Sequence, residues 1–282
     1  MPRRQKFIAG LSTLALTGAL ALSGCSAGGE REGDSGPRPE RRDEGAAVPA
    51  APVAAAVGEG EGGVDIAAAA TDAVVFRSAL AIAEAHVLAA RDAYAAGRKE
   101  EAAGMFAHPV SEVLADMEGA LKARGVEPFQ ELFIAASEGA LNDEPAGKIA
   151  ARTDAIIAAL DKAAGAAPDD GRSPAAVAAG VVSDEIDRAV DMYRLAAASG
   201  DYGHYLDGYG FYKAAESAFA RGRAAIEADK PDAAAKIRAA LSTLGAAYPR
   251  AEAPGAFDAD IAALSAASSR VMLSLGHESA FR

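Results

Sequence analysis

Apolar positions recur at helical spacing along most of the chain, starting at Val64. Val75, Ala79, Ile82, His86, Ala90 and Ala93 share one stripe, which Gly97 closes. That is the i, i+3, i+4, i+7 pattern of an amphipathic helix. "RKEEAAGMFA" starts a second helix that runs to His108. Pro109 then reads as the first residue of a third helix, with His108 at an N-cap-like position. Val110, Val113, Leu114, Met117 and Leu121 form its apolar face, up to Gly125. Pro128 opens a helix through Ala140, and Asn142 to Gly147 is a break. Ile149, Ile156, Ile157 and Leu160 mark the next helix. Pro174 begins a long one carrying Val182, Ile186, Val190 and Tyr193, and Gly200 ends it. "YLDGYGFYKAAESAF" follows, with Tyr205, Tyr209, Tyr212 and Phe219 on one face and Glu216 among them. A turn at Asp229 to Pro231 leads into "KPDAAAKIRAALSTLGAAY". Phe257, Ile261, Leu264, Val271 and Leu275 make a last helix.

No stretch alternates with period two over strand length. The expectation is therefore an all-α fold, a helical bundle of about seven to nine helices. "DAYAAGRKEEAAGMFA" and "AAIEADKPDAAAKIRA" each show a helix end, a polar turn and an Ala-rich helix. Two related helical-hairpin halves would read this way, and so would any two hairpins with polar turns.

The first 63 residues break the helical pattern. Arg3, Arg4 and Lys6 precede an uncharged, mostly apolar run from Phe7 to Leu22, closed by Leu22-Ser23-Gly24-Cys25. The run is short and ends in small residues, as a secretory signal does. The tetrad resembles a bacterial lipobox, which implies acylation of Cys25 after cleavage before it. Cys25 is the only cysteine in the chain, so no disulfide competes for it. Residues 26–63 are rich in Gly, Pro, Ala, Glu and Arg and poor in large apolar groups. They read as a disordered tether spanning roughly 30–35 Å. The expected organisation is a signal peptide over 1–24, lipidated Cys25 and tether over 25–63, and a helical domain over 64–282. Ser26 after the cysteine, in the lipoprotein resemblance, permits export to the outer membrane, facing the periplasm.

Charge narrows the partners. The formal net charge is −12, which repels phosphate backbones, so nucleic acid is not an expected partner. The expected contacts are the membrane, through Cys25, and an envelope protein. No Cys pair, P-loop, Gly-x-Ser-x-Gly elbow or His-Glu-x-x-His motif is present. Nothing assembles a nucleophile or an acid–base constellation, and the chain is not expected to be an enzyme.

Four histidines remain: His86, His108, His204 and His277. His204 lies in or near a turn, and His277 near the C-terminus reads as solvated. His86 stands on an inward stripe. It is either a core histidine with one hydrogen bond, or a metal ligand or partner of a buried acid. His108 and Glu112 are four apart and lie over neighbouring turns. They can share a metal, or be a helix cap and a surface acid. Glu216 stands in the aromatic stripe, where an unpaired carboxylate costs several kcal/mol. It is exposed at the stripe's edge, paired with His86, or a metal ligand. Tyr202, Tyr209 and Tyr212 are candidate ligand-binding side chains on the same segment.

"DYGHYLDGYGFYKAAESAFARGRAAI" is similar to helical periplasmic segments of bacterial iron-uptake systems. These include the domain preceding the membrane part of some iron permeases and proteins encoded near imelysin-type lipoproteins. Asp201-Tyr202, Asp207-Gly208 and Ala215-Glu216 match that pattern, while Ser217 stands where it carries Tyr. His86, Asp92, Tyr94, Gly97, His108, Pro109 and Glu112 resemble the same group further upstream. The resemblance spans residues 70 to 250 and implies a metal-associated helical protein, with iron or another transition metal as cofactor. The candidate metal set is His86, His108, Glu112 and Glu216. The expected function is a membrane-anchored extracytoplasmic lipoprotein that binds a metal or small ligand in metal uptake. The alternative is an envelope interaction or structural lipoprotein with no metal site.

Overall fold

The computed structural model describes residues 63–276, and every structural statement below concerns these. The lipobox tetrad, the tether up to residue 62, and His277 lie outside them. The described residues form an all-α bundle with no β-strand. In chain order the helices are α1 (Ile66–Ala69), α2 (Ala73–Ala95), α3 (Lys99–Pro109), α4 (Ala115–Ala123), α5 (Gln130–Leu141), α6 (Ala146–Ala164), α7 (Pro174–Ser199), α8 (Tyr202–Asp229), α9 (Pro231–Ala247) and α10 (Ile261–Gly276). A π-helical turn, Val110–Leu114, joins α3 to α4.

α2 is the central element. Asp72 caps it by accepting from the amides of Val74 and Val75, at 2.8 and 3.0 Å. Seventeen of its 23 residues are buried. Its length and composition alone would let it cross a membrane, but 83% of its most apolar window is inside the bundle. It packs against α3, α6, α7 and α8. The α7–α8 hairpin is the other half of the frame. Ser173 caps α7 with Pro174 at its first turn, and Gly200 ends it in the left-handed region, φ 72°. α9 and α10 close over α7 and α8.

Two expectations change. Pro109 does not begin a new helix. α3, the π turn and α4 are continuous, with Pro109 inside. Proline has no N–H for the carbonyl four residues back, and its ring crowds that carbonyl. The wider π turn that follows absorbs the misfit. The second change is Phe257, which precedes α10 rather than belonging to it. Its ring lies 5.9 Å from Tyr193 and 5.7 Å from Tyr205. The two turns that echo one another in sequence also differ. Gly97 is left-handed, φ 84°, whereas Lys230 has φ −136° and ψ 61°.

Tyrosines knit the hairpin to its neighbours. Tyr205 donates to the Arg250 carbonyl and Tyr248 to the Ala189 carbonyl, both at 2.8 Å. Burial pushes the Tyr205 hydroxyl well above its ordinary value, with Tyr193 adding to the shift. Close approach matters at one position in particular. A Cβ on Gly210 would lie 2.5 Å from the Ala85 carbonyl oxygen. Only a residue with no side chain lets α8 meet α2 at that level, one turn from Asp207.

Candidate metal centre

Four elements converge at the level of Gly210. α2 supplies His86, the end of α3 supplies His108, the π turn supplies Glu112, and α8 supplies Asp207. His86 is buried. Its Nδ1 lies 2.8 Å from the carbonyl oxygen of Ile82, one turn back. A carbonyl only accepts, so Nδ1 carries the proton and the neutral ring keeps its lone pair on Nε2. That hydrogen bond also fixes the ring plane, as the outer partner of a metal-bound histidine does. Edge contacts with His108 and Phe211, ring centroids 5.9 and 6.0 Å away, hold it further.

His86 Nε2 faces two carboxylates, 3.8 Å from Glu112 Oε2 and 3.9 Å from Asp207 Oδ1. His108 Nδ1 is 3.9 Å from the other oxygen of Glu112. These separations are too long for hydrogen bonds. His86, His108 and Asp207 each present a donor atom within 4.8 Å of the other two. Donors on a tetrahedral ion with bonds of ~2.1 Å sit about 3.4 Å apart. Binding an ion there would require the side chains to rotate inward and close the difference. With neutral imidazoles the two carboxylates give the centre a charge of −2, which suits a divalent cation. Two imidazoles with two carboxylates favour iron, zinc, copper or nickel over calcium or magnesium.

Asp207 has its carboxyl pushed above the usual carboxylate range. Burial is the main cause, opposed by the charges of His86, His108 and His204. A cation among these residues would reverse the effect of burial.

The structure thus brings together three of the four residues expected as metal ligands. Glu216 is not among them. It lies nine residues beyond Asp207 on α8, about 13 Å along the helix axis. Its carboxylate is at 2.5 Å from Lys213 Nζ and partly exposed. Burial pushes the Tyr212 hydroxyl above its ordinary value, and the charge of Glu216 adds to the shift. Of the three readings open to Glu216, the structure selects the edge of the stripe.

The tyrosines expected to bind ligand have other partners. Tyr202 donates to the Ala251 carbonyl at 3.1 Å, with the Arg98 guanidinium over its ring. Tyr209 donates to Asp92 at 2.8 Å. The Tyr212 ring stacks on Tyr248, centroids 6.3 Å apart. All three tie α8 to its surroundings or to itself, and none faces the histidine pair.

Asp207 is the one member of the cluster outside the expected metal set. Its signal was present in the sequence: Asp207, Phe211, Ala214 and Ala218 form a second stripe on α8, and the last three are buried. Glu84 is a buried acid that is also outside the expected set. It is 3% exposed and accepts from Arg221 at 2.8 and 2.7 Å and from Ser217 at 2.7 Å. This pair joins α2 to α8 away from the candidate metal centre.

Comparison with protein-family models, with curated proteins and with solved structures gives no match to this chain.

Proposed function

We propose that the chain is an extracytoplasmic, lipid-anchored helical protein that binds one first-row transition metal ion, serving uptake of iron or another such metal. The observation that carries the reading is the set of donors around His86. One buried imidazole with its tautomer fixed by Ile82 faces a second imidazole and two carboxylates from three other elements. Helices hold every donor except Glu112, whose π turn is itself a feature common at functional sites. The tetrad at Leu22–Cys25 supports the anchor.

The metal reading is tested on the full chain in detergent, stripped with a chelator and titrated with anaerobic iron(II), zinc or copper(II). Wild type is expected to bind one ion per chain. Asp207→Asn is expected to bind at least about 10-fold more weakly, and Glu216→Gln to match wild type. Absence of saturable binding in the wild type removes the proposal. The anchor has its own test in cell fractions. The wild-type chain is expected in the membrane fraction, and Cys25→Ser in the soluble fraction or as unprocessed precursor. Equal distribution and processing of the two would exclude lipidation.

A further inference from the structure

We infer that His204 is a capture ligand at the mouth of the metal centre: it takes the ion between its Nε2 and Asp207 and passes it inward to His86. The inference rests on the metal reading above. His204 lies in the first turn of α8, three residues before Asp207, so the two side chains occupy adjacent turns of one face. It does not belong to the inner group of mutually close donors, and lies one turn before Asp207 on α8.

Hydrogen bonding around Ser199 decides which nitrogen of His204 is free. The Ser199 hydroxyl has a single hydrogen, donated to the Leu195 carbonyl at 2.8 Å. Its oxygen accepts from the Asp201 amide at 3.1 Å. The same oxygen lies 3.2 Å from His204 Nδ1. With its hydrogen already engaged, Ser199 can only accept there, so Nδ1 carries the proton. Neutral His204 therefore has its lone pair on Nε2. The arrangement repeats that of His86, with a serine oxygen in place of a carbonyl, and prepares the ring as a ligand.

Exposure sets the direction of travel. Side-chain exposure is 7% for His86, 25% for Asp207, 32% for Glu112 and 47% for His108. His204 is half-buried. An ion from solvent thus meets the outer histidines and Asp207 before it meets His86. The start of α8 would repel a cation through its helix dipole. Asp201 offsets this, since its carboxylate accepts from the His204 amide at 3.2 Å.

Stopped-flow mixing of the chelator-stripped full chain with cobalt(II), followed by its visible absorption, tests the inference. His204→Ala is expected to take up one cobalt per chain with an association rate at least fivefold lower. Its equilibrium dissociation constant should stay within about threefold of wild type, because a capture ligand speeds entry and exit alike. His204→Gln keeps a donor for Ser199 but offers no imidazole lone pair, and is expected to behave as His204→Ala. It serves as the probe if the alanine variant does not fold. Unchanged association rates in the folded variant overturn the inference and leave the metal reading standing. So does loss of cobalt stoichiometry, which would make His204 a resident ligand. A wild-type chain that takes up no cobalt overturns both.

Discussion

A full chain carrying His86→Gln is expected to bind zinc or iron(II) at least about 100-fold more weakly than wild type. Loss of a partner hydrogen-bonded to a ligand typically costs 10–100-fold, and in the proposed site His86 is the central ligand itself. It is the one buried member of the set, and its Nε2 lies within 4 Å of both carboxylates. No other described side chain replaces that lone pair from the α2 side. Glutamine has similar reach and can still donate to the Ile82 carbonyl. The apo protein should therefore keep its fold, and circular dichroism checks this. Competition against a chromophoric chelator reads the affinity. His108→Gln is expected to cost less, about 10-fold, because its side chain is 47% exposed and water can fill its place. Equal affinity of His86→Gln and wild type would move the metal away from this cluster.

Glu185→Gln is expected to melt at a higher temperature than wild type at neutral pH and at the same temperature near pH 4. Glu185 on α7 is fully buried, and neither carboxylate oxygen has a hydrogen-bond partner among the described residues. Burial pushes its pKa well above the ordinary value. Asp184 and Glu84 add to the shift, and Arg188 opposes it. The folded chain thus holds a proton that the unfolded chain releases. Below the ordinary glutamate pKa both states are protonated and the full stability is present. As pH rises from there toward the folded pKa, stability is lost at about 1.4 kcal/mol per pH unit. For a domain of this size that is about 3–6 °C of melting temperature per pH unit. Glutamine has no proton to lose, so the gap between variant and wild type should widen by that amount with each unit above about pH 4.3. Melting curves of the full chain across pH 4 to 8 measure it. A gap that does not change with pH would mean that Glu185 ionises freely or has a partner.

The fold class could be read from the chain because helical periodicity is local. The stripe from Val75 to Ala93 and the long run from Pro174 to Gly200 needed no knowledge of what lay opposite. Local rules failed where a tertiary contact outweighed them. Pro109 carries the signature of a helix start, but Phe106 before it and Val113 after it are both buried. Holding both in one core keeps the chain helical through the proline. The same logic governs the candidate site. His86 could be singled out because a histidine on an inward stripe is visible in one helix. His108 and Glu112 could be paired because they are four residues apart.

Glu216 and Asp207 show where that reading stops. Each lies on α8 beside buried residues, and spacing alone gives both a claim to the interior. Glu216 draws attention by interrupting a stripe of tyrosines, whereas Asp207 sits between glycines and aromatics without breaking a pattern. Which carboxylate meets His86 depends on the rotation of α8 about its axis and its register against α2. Gly210 at the Ala85 carbonyl and Arg221 at Glu84 set both. By itself the sequence determined an all-α chain, its helix-bearing segments and one inward histidine, because each follows from residues within a few turns. Only the tertiary structure decided that Asp207 and not Glu216 faces that histidine, and that Glu185 has no hydrogen-bond partner among the described residues. Both are matters of register between helices far apart in the chain, which no local pattern encodes.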